Sequence, residues 1–486
     1  MKEDARMTTE GTMRFRVLSD RQIEQIHLAT LEVLARTGVR VLHEEGLNLL
    51  REAGCFVKDG DLVKIPPHLV EDAISSAPPR VVIANREGER AMPLEGNRYY
   101  FGTGSDCVYT LETLTGKRRL TVKKDVANAA KVCDALTHLS FVMSLGLVSD
   151  RHEKVSDIHQ FQAMLENTVK PILFTAHSRD NLEIIRDIGW EVAGGREAFE
   201  ANPFIIHYSE VISPLIHTHE GVDKVLFCAE SLIPLVYVSG LMAGGTAPVT
   251  TTGALVLANA EALSGLVIHQ LKRRGAPMIS GGMSTIMDMR TSKYCHGAPE
   301  LHLSHAALAD LYHHYRIPIW GSAGCSDSQL PDEQAAIEST LSCLMSAQSG
   351  ANLVHDVGYL DNGLTGSLEV VVMIDEIAGM VDRVMRGVEI TEDSLALDVI
   401  DRVGPGGEFL SDEHTYRLLR REHWYPTLLN RSTYDDWSRL GGKDLRTRLN
   451  ERAKEILATH EPRPLDSKTE ASVRKILEDY EKKVVS

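Results

Sequence analysis

The sequence predicts an α/β protein built on a (β/α)8 TIM barrel, with an N-terminal helical segment and a C-terminal helical extension. Three observations lead there. Short β-rich runs alternate with long helical patterns, eight times, between residues 99 and 390. The runs are apolar and bounded by Pro and Gly, as strands buried on both faces are. The stretch they occupy, about 290 residues, suits a fold whose span runs from roughly 200 to over 400 residues. A doubly wound open sheet shares this periodicity and stays as the alternative.

The elements follow in order. Residues 1–98 read as a helical and β segment. Leu18-Ser19-Asp20 opens the first helix, with Ile23, Ile26, Val33 and Leu34 on its apolar side. The barrel is expected over 99–390. Its strands are expected at Tyr99–Gly104, Leu139–Leu145, Pro171–Ala176, Phe204–Tyr208, Pro234–Ser239, Pro277–Gly281, Pro318–Gly321 and Ala351–Val357. Its helices are expected at about 122–135, 153–167, 179–192, 218–231, 252–273, 298–315, 331–349 and 367–388. A hairpin is expected at 105–121. In the seventh helix Pro331 suits the first turn, and Asp332 and Glu333 suit the positive end of the dipole. Ile337, Leu341, Leu344 and Met345 form a stripe able to cover a sheet, and Gly350 stops the helix. Residues 391–486 read as a charged helical extension with a GPGGE turn at 404–408. From about Ser467 an amphipathic tail suits packing on a partner subunit, so a homo-oligomer is expected.

Composition narrows the function. The chain has 486 residues and a net charge of −16, with no dense Lys/Arg run. Nucleic acid is therefore excluded as the main partner, because phosphate binding needs a cationic surface. Seven scattered cysteines, without a CxxC, point to a reducing, cytoplasmic compartment. MKEDARMTTEGTMRF has no apolar run of the kind a signal peptide carries. The most apolar stretch, Gly253 to Leu271, contains Asn259, Glu261, Ser264 and His269, so it reads as a buried helix and not a membrane span.

In such barrels chemistry sits at the carboxyl ends of the strands. The polar residues there are Asp106, His177, His207, Tyr208, Glu210, Ser239, Ser280, Cys325, Asp327, His355 and Asp356. His302 and His305, with Cys295 and His296 upstream, lack a visible third ligand, so no intrinsic metal is expected. Residues 242–254 are Gly- and Thr-rich but carry no P-loop lysine. Tyr99, Tyr100, Phe101, Tyr208, Trp320 and Tyr359 put rings near the strand ends, where they could cage a quaternary ammonium. GSAGCSDS at 321–328 reads either as a tight turn or as room for something large beside the backbone.

Four segments carry a resemblance: IHLATLEVLARTGVRV at 26–41, GTGSD at 102–106, GAPE at 297–300 and SAGCSDSQLPDEQAAIES at 322–339. On these the chain resembles the trimethylamine methyltransferase family. The resemblance implies a barrel enzyme that hands a methyl group to a corrinoid protein, the cobalamin being carried by that partner. Members acting on trimethylamine carry pyrrolysine, at a position the resemblance puts in or near 321–328. Only standard residues stand there in this chain. A quaternary amine is then implied as substrate, glycine betaine or a related betaine first. The roles that follow are catalytic for His355, Glu210 and Asp106. Tyr100, Tyr208, His207, Trp320, Gly324 and Cys325 would bind the substrate, the small residues of 321–328 leaving room for the corrin ring. The alternatives are another methylamine methyltransferase, a barrel lyase, or a non-catalytic binding subunit.

Overall fold

The computed structural model describes residues 14–485. The first thirteen residues, where the sequence shows no apolar leader-like run, lie outside the described residues.

The fold is mixed α/β, and eight strands alternate with eight helices as the sequence predicts. The strands are β1 Tyr100–Thr103, β2 Leu139–Phe141, β3 Ile172–Phe174, β4 Ile205–Val211, β5 Leu235–Ala243, β6 Met278–Asp288, β7 Trp320–Ser322 and β8 Leu353–Val357. The helices are α1 Lys123–Ala135, α2 Ser156–Asn167, α3 Arg179–Ala193, α4 His219–Ser231, α5 Thr251–Lys272, α6 Pro299–Tyr315, α7 Glu333–Ser349 and α8 Leu368–Met385. Two parallel runs form, β7-β8-β1-β2 and β3-β4-β5-β6. The first and last strands pair directly, with Leu353 opposite Tyr100 and Val354 opposite Phe101. Single parallel bridges, Val142 to Ile172 and Ser280 to Ile319, link the two runs.

Strand parity divides the apolar side chains. Tyr100, Phe141, Leu173, Ile206, Val236, Ile279, Trp320 and Leu353, one from each strand, share a single interior cluster. A hairpin of Val81–Ala84 and Arg90–Leu94 adds Val81, Ile83, Met92 and Leu94 to it. The alternate residues, such as Phe101, Ile205 and Val354, join the larger cluster formed with the helices. β1 passes so close to β2 that a Cβ on Gly102 would lie 2.4 Å from the Phe141 ring, so only glycine fits there.

The apolar run in α5 has a structural cause. The helix packs on β5 and β6 and is covered from outside by the helices Asp20–Glu32 and Pro67–Ser76. Several of its polar groups are paired: Asn259 donates to Thr30 Oγ1 at 3.0 Å, and Glu261 accepts from Ser213 at 2.8 Å and from the Leu215 N–H at 2.8 Å.

Two expectations fail here. In α7 Ile337 is 69% exposed and Leu341 is 41% exposed, so that stripe does not cover the sheet. The face turned inward is Ala335, Ser339, Ser342, Cys343 and Ser346. Small side chains let the helix sit close, and their hydroxyls are used: Ser342 accepts from the Gly324 N–H at 3.1 Å, and Ser346 donates to Ser322 O at 3.3 Å. The C-terminal helix Ser467–Val485 packs on α3 of its own chain, burying Val473 and Leu477. Tyr480 donates to Asn181 Oδ1 there at 2.7 Å. Much of the tail's apolar face is thus buried within the chain itself.

The junction of first and last strands is held by Asn352, which is 1% exposed. Its Oδ1 accepts from the Ile319 N–H at 2.9 Å, and its Nδ2 donates to Gly96 O at 3.0 Å and Arg98 O at 2.8 Å. Replacing Asn352 by Leu leaves buried backbone groups without partners, at a cost of about 3 kcal/mol or more. The expected outcome is a lower denaturant midpoint at unchanged m-value. A midpoint equal to that of the unmodified protein would show that the junction does not need this side chain.

Candidate active site

The site grows from strand parity in β4. Ile206 and Tyr208 face the interior. Glu210 follows on the same side and accepts a hydrogen bond from the Tyr208 hydroxyl. His207, between them, faces the helices. Its ring lies 5.2 Å from Phe174, in the outer apolar layer, and burial together with Lys224 pushes its pKa well down. The structure thus separates His207 from the residues expected beside it.

Tyr208, Trp320 and His355 are brought together. The Trp320 and His355 rings meet edge to face at 4.4 Å, and Tyr208 lies 5.4 Å from His355 and 6.0 Å from Trp320. His305 of α6 stands edge-on to Trp320 at 6.0 Å and props it from behind. Tyr100, 1% exposed, is sunk in the interior cluster beside Leu353 in register.

Three carboxyls surround this aromatic floor. Asp106 and Glu210 both keep open surface within dense surroundings. Open surface within dense surroundings is what the wall of an interior cavity presents. Burial pushes both carboxyls above their usual range. Tyr208 and His355 offset this only in part for Glu210, and Ser105 and His355 only in part for Asp106. Asp356 behaves in the opposite way. Burial would raise it, but His355 against it, at 2.8 Å, outweighs that, helped by His296 and Ser322. Asp356 is therefore an anion paired with His355. Asp106 and Asp356 also hold left-handed backbone, at φ 65° and 81°. Non-glycine residues take that conformation at a cost, and such strain gathers at functional sites.

The three strand-end segments of the resemblance form one knot. From GTGSD, the Ser105 N–H donates to the Tyr359 hydroxyl at 2.6 Å. From GAPE, the Gly297 N–H donates to Asp327 Oδ2 at 3.0 Å, and Gly297 leaves room for Glu338. From the seventh strand end, Ser326 and the Asp327 N–H donate to Glu338 at 2.6 and 2.9 Å. His296 bridges the knot, its ring 4.7 Å from Tyr294 and 5.8 Å from Tyr359. Asp327 also accepts from the His296 N–H at 2.7 Å, so it braces a loop.

GSAGCSDS is therefore a tight, filled turn. Gly324 has φ 73°, and a Cβ on it would meet Val357 at 3.0 Å and Ile374 at 3.3 Å. It faces α8, not the cavity, so the expected space for a ligand beside it is absent. Cys325 is fully buried beside Ser322, and burial, with Asp356 nearby, keeps its thiol well above the range of a reactive thiolate. In the loop after β5 the N–H groups of Gly245, Thr246 and Ala247 all donate to Met242 O, which leaves no phosphate cradle there. His177 is held by Ser156 at 3.0 Å. Among the described residues no group of three His, Cys, Asp or Glu is arranged to hold a metal ion.

Sequence reasoning missed Tyr294. β5 and β6 stay paired through Ala243 and Ile286, past the expected strand ends, and β6 then turns back onto Lys293–Tyr294. The fold-back brings Tyr294 within the field of Asp356 and Glu210. Nothing in the local pattern marks it.

Carboxyls raised by burial hold more protons in the native state than in the unfolded chain. Stability then falls as pH rises from the unfolded carboxyl range, about 4, through the native pKa values. Glu210→Gln removes one such group and keeps an acceptor for Tyr208. The variant is expected to melt higher than the unmodified protein at pH 7, with a shallower decline between pH 4 and 7. Melting curves across that range test this, and a lower melting temperature at pH 7 would count against it.

With this geometry in view, comparison with known proteins is direct. The family model for trimethylamine methyltransferase (MTTB) matches residues 1–484. Trimethylamine methyltransferase MttB of Desulfitobacterium hafniense (strain DSM 10664 / DCB-2) is 34% identical over 464 residues, covering 95% of this chain and 93% of that protein. The glycine betaine methyltransferase of Desulfitobacterium hafniense (strain Y51) is 30% identical over 477 residues, covering 97% and 98%. Among solved structures, the hydroxylamine complex of MtmB aligns with a TM-score of 0.50 at 12% identity, over 96% of this chain and 88% of that one, a likeness of fold. The chain belongs to the trimethylamine methyltransferase family and is a methyltransferase.

Proposed function

We propose that this protein moves a methyl group from a quaternary amine, with glycine betaine and related betaines the first expectation, to the cob(I)alamin of a corrinoid protein. The carrying observation is the meeting of the Tyr208, Trp320 and His355 rings with the carboxyls of Asp106 and Glu210 at the strand carboxyl ends. Aromatic faces and carboxylates attract a cation, each ring by about 0.5–2 kcal/mol. The supporting scaffold is a closed (β/α)8 barrel at 99–390, with 1–98 and 391–486 as outer segments. The β1–β8 pairing, the two bridges and the shared interior cluster favour it. Free thiols throughout suit a reducing, cytoplasmic setting.

A corrinoid on a partner would enter from the strand carboxyl ends, and the residues there fit a large apolar face. Ile212, Val249, Met289, Leu330 and Leu364, on five different loops, are exposed. The extension of β5 and β6 carries Met242, Met283 and Met287, side chains that adapt to a varied surface. The corrinoid, when bound, supplies the nucleophile that accepts the methyl group. The chain's own residues orient the ammonium and exclude water. Tyr208 fixes Glu210 by its hydroxyl, and the Asp356–His355 pair holds the His355 ring against Trp320. The amine leaves neutral, so no residue has to protonate it.

The test follows the loss of the cob(I)alamin spectrum under reducing conditions with each amine in turn. Turnover with a quaternary amine and little with trimethylamine is expected. Turnover with trimethylamine alone would overturn the reading. Cys325→Ser is expected to keep its turnover. Tyr208→Ala is expected to raise Kd roughly two- to thirtyfold, as the loss of one ring of about 0.5–2 kcal/mol dictates.

A further inference from the structure

We propose that residues 388–422 form an arm that packs on a second copy of this chain, so that the protein is a dimer or an assembly built from dimers. The inference is independent of the substrate reading. The stretch holds three helices, Glu392–Leu395, Leu397–Val403 and Glu413–Glu422. Among the described residues of this stretch only Val399 is buried. Val388, Ile390, Leu397, Ile400, Leu410 and Tyr416 are exposed, the last two by 85% and 89%. Ion pairs tie the stretch into one unit: Arg402 to Asp412 at 3.0 Å, Arg417 to Asp393 at 2.7 Å, and Arg421 to Glu389. Exposed ion pairs contribute little, while every residue fixed in place costs conformational entropy. A segment with no core of its own keeps such a shape when its apolar face is covered.

Area, persistence and position favour a second copy as the cover. The arm's exposed apolar residues present on the order of 1,000 Å², against about 800 Å² that each partner gives to a standard interface. The cover is needed whenever the chain is folded, and the partner always present is another copy. A two-fold contact covers both arms at once. The arm also lies away from the side where a corrinoid protein would enter. Asp382, near the end of α8, binds Tyr99 and His138, which stand just before β1 and β2, each at 2.8 Å. α8 therefore ends beside the amino ends of the strands. Arg383 then holds Glu422 O at 2.8 Å, which brings the arm's far end back to the same place. Residues 1–13 have three methionines as their only large apolar side chains, too few to cover this face.

The test is sedimentation equilibrium of the full chain without corrinoid protein, with hydrogen exchange followed across a dilution series. A mass of two chains, or a multiple of two, is expected, and amides of 388–422 are expected to exchange faster on dilution. Leu410→Glu and Tyr416→Glu, with folding checked by circular dichroism, are expected to raise the dimer Kd about tenfold or more. Met289→Glu, at the strand carboxyl ends, is expected to leave it unchanged. A monomer at micromolar concentrations would overturn the proposal, and so would an assembly in which the arm's exchange is indifferent to dilution. An unchanged Kd in both arm variants, or a dimer lost in Met289→Glu, would overturn the arm as the contact. Protection of the arm that arises only on adding corrinoid protein would overturn the second copy as its occupant. The exchange measurement uses the unmodified chain and so does not depend on the variants folding.

Discussion

The molecule depends on the joint between its first strand and its last, and Asn352 makes that joint. Its backbone N–H donates to Ile319 O at 2.9 Å, and its carbonyl accepts from the Tyr100 N–H at 3.0 Å. Its side chain then binds the Ile319 N–H and the carbonyls of Gly96 and Arg98. One residue thus ties β7, β8 and the entry to β1. One side of the site follows from this adjacency. Trp320 begins β7, His355 and Asp356 lie on β8, and Asp106 follows β1. β7 and β8 pair directly, and Asp106, remote in the chain, joins them because the first and last strands meet.

The same adjacency is costly, and the cost is informative. It gathers three carboxyls about one enclosed space, two of them on left-handed backbone. Only Asp356 has a close counter-charge. A protein selected for stability alone would not keep Asp106 and Glu210 where burial opposes their ionisation. Sites that bind charge are built this way, because the missing counter-charge arrives with the ligand. At Asp106 strain and desolvation stand on one residue, a combination absent from the polar groups of α5.

Much of this was legible in the chain. The alternation was readable because each strand is buried on both faces and closed off by Pro or Gly. Ser19, Asp332 and Gly350 mark helix ends as their side chains or φ angles require. The site was half legible. Tyr208, Glu210, Trp320, His355 and Asp106 do converge. His207 and Gly324 do not: His207 because a strand alternates sides, so neighbours face opposite ways, and Gly324 because the tight turn after β7 sets it against α8. In α7 the eye follows Ile337 and Leu341, whereas close packing chose Ser339, Ser342 and Ser346. Tyr294 had no local signal, since a fold-back beyond a strand is set by tertiary pairing.

The turn at 321–328 bears on the chemistry of the whole site. Its glycine is used to bring backbone against Val357 and Ile374, its serines and aspartate to bind Glu338 and the 296–297 backbone, and its thiol to fill a buried corner. No group in it is left to form a bond to a substrate. An amine with a lone pair leaves poorly as an anion and so needs activation before its methyl group can move. A quaternary nitrogen needs none, because it departs neutral. A seventh strand end that supplies only structure is therefore coherent with a substrate that is already a cation. On the proposed quaternary-amine reading the work left to the protein is electrostatic, and it falls to the carboxyls of β4 and of the loop after β1.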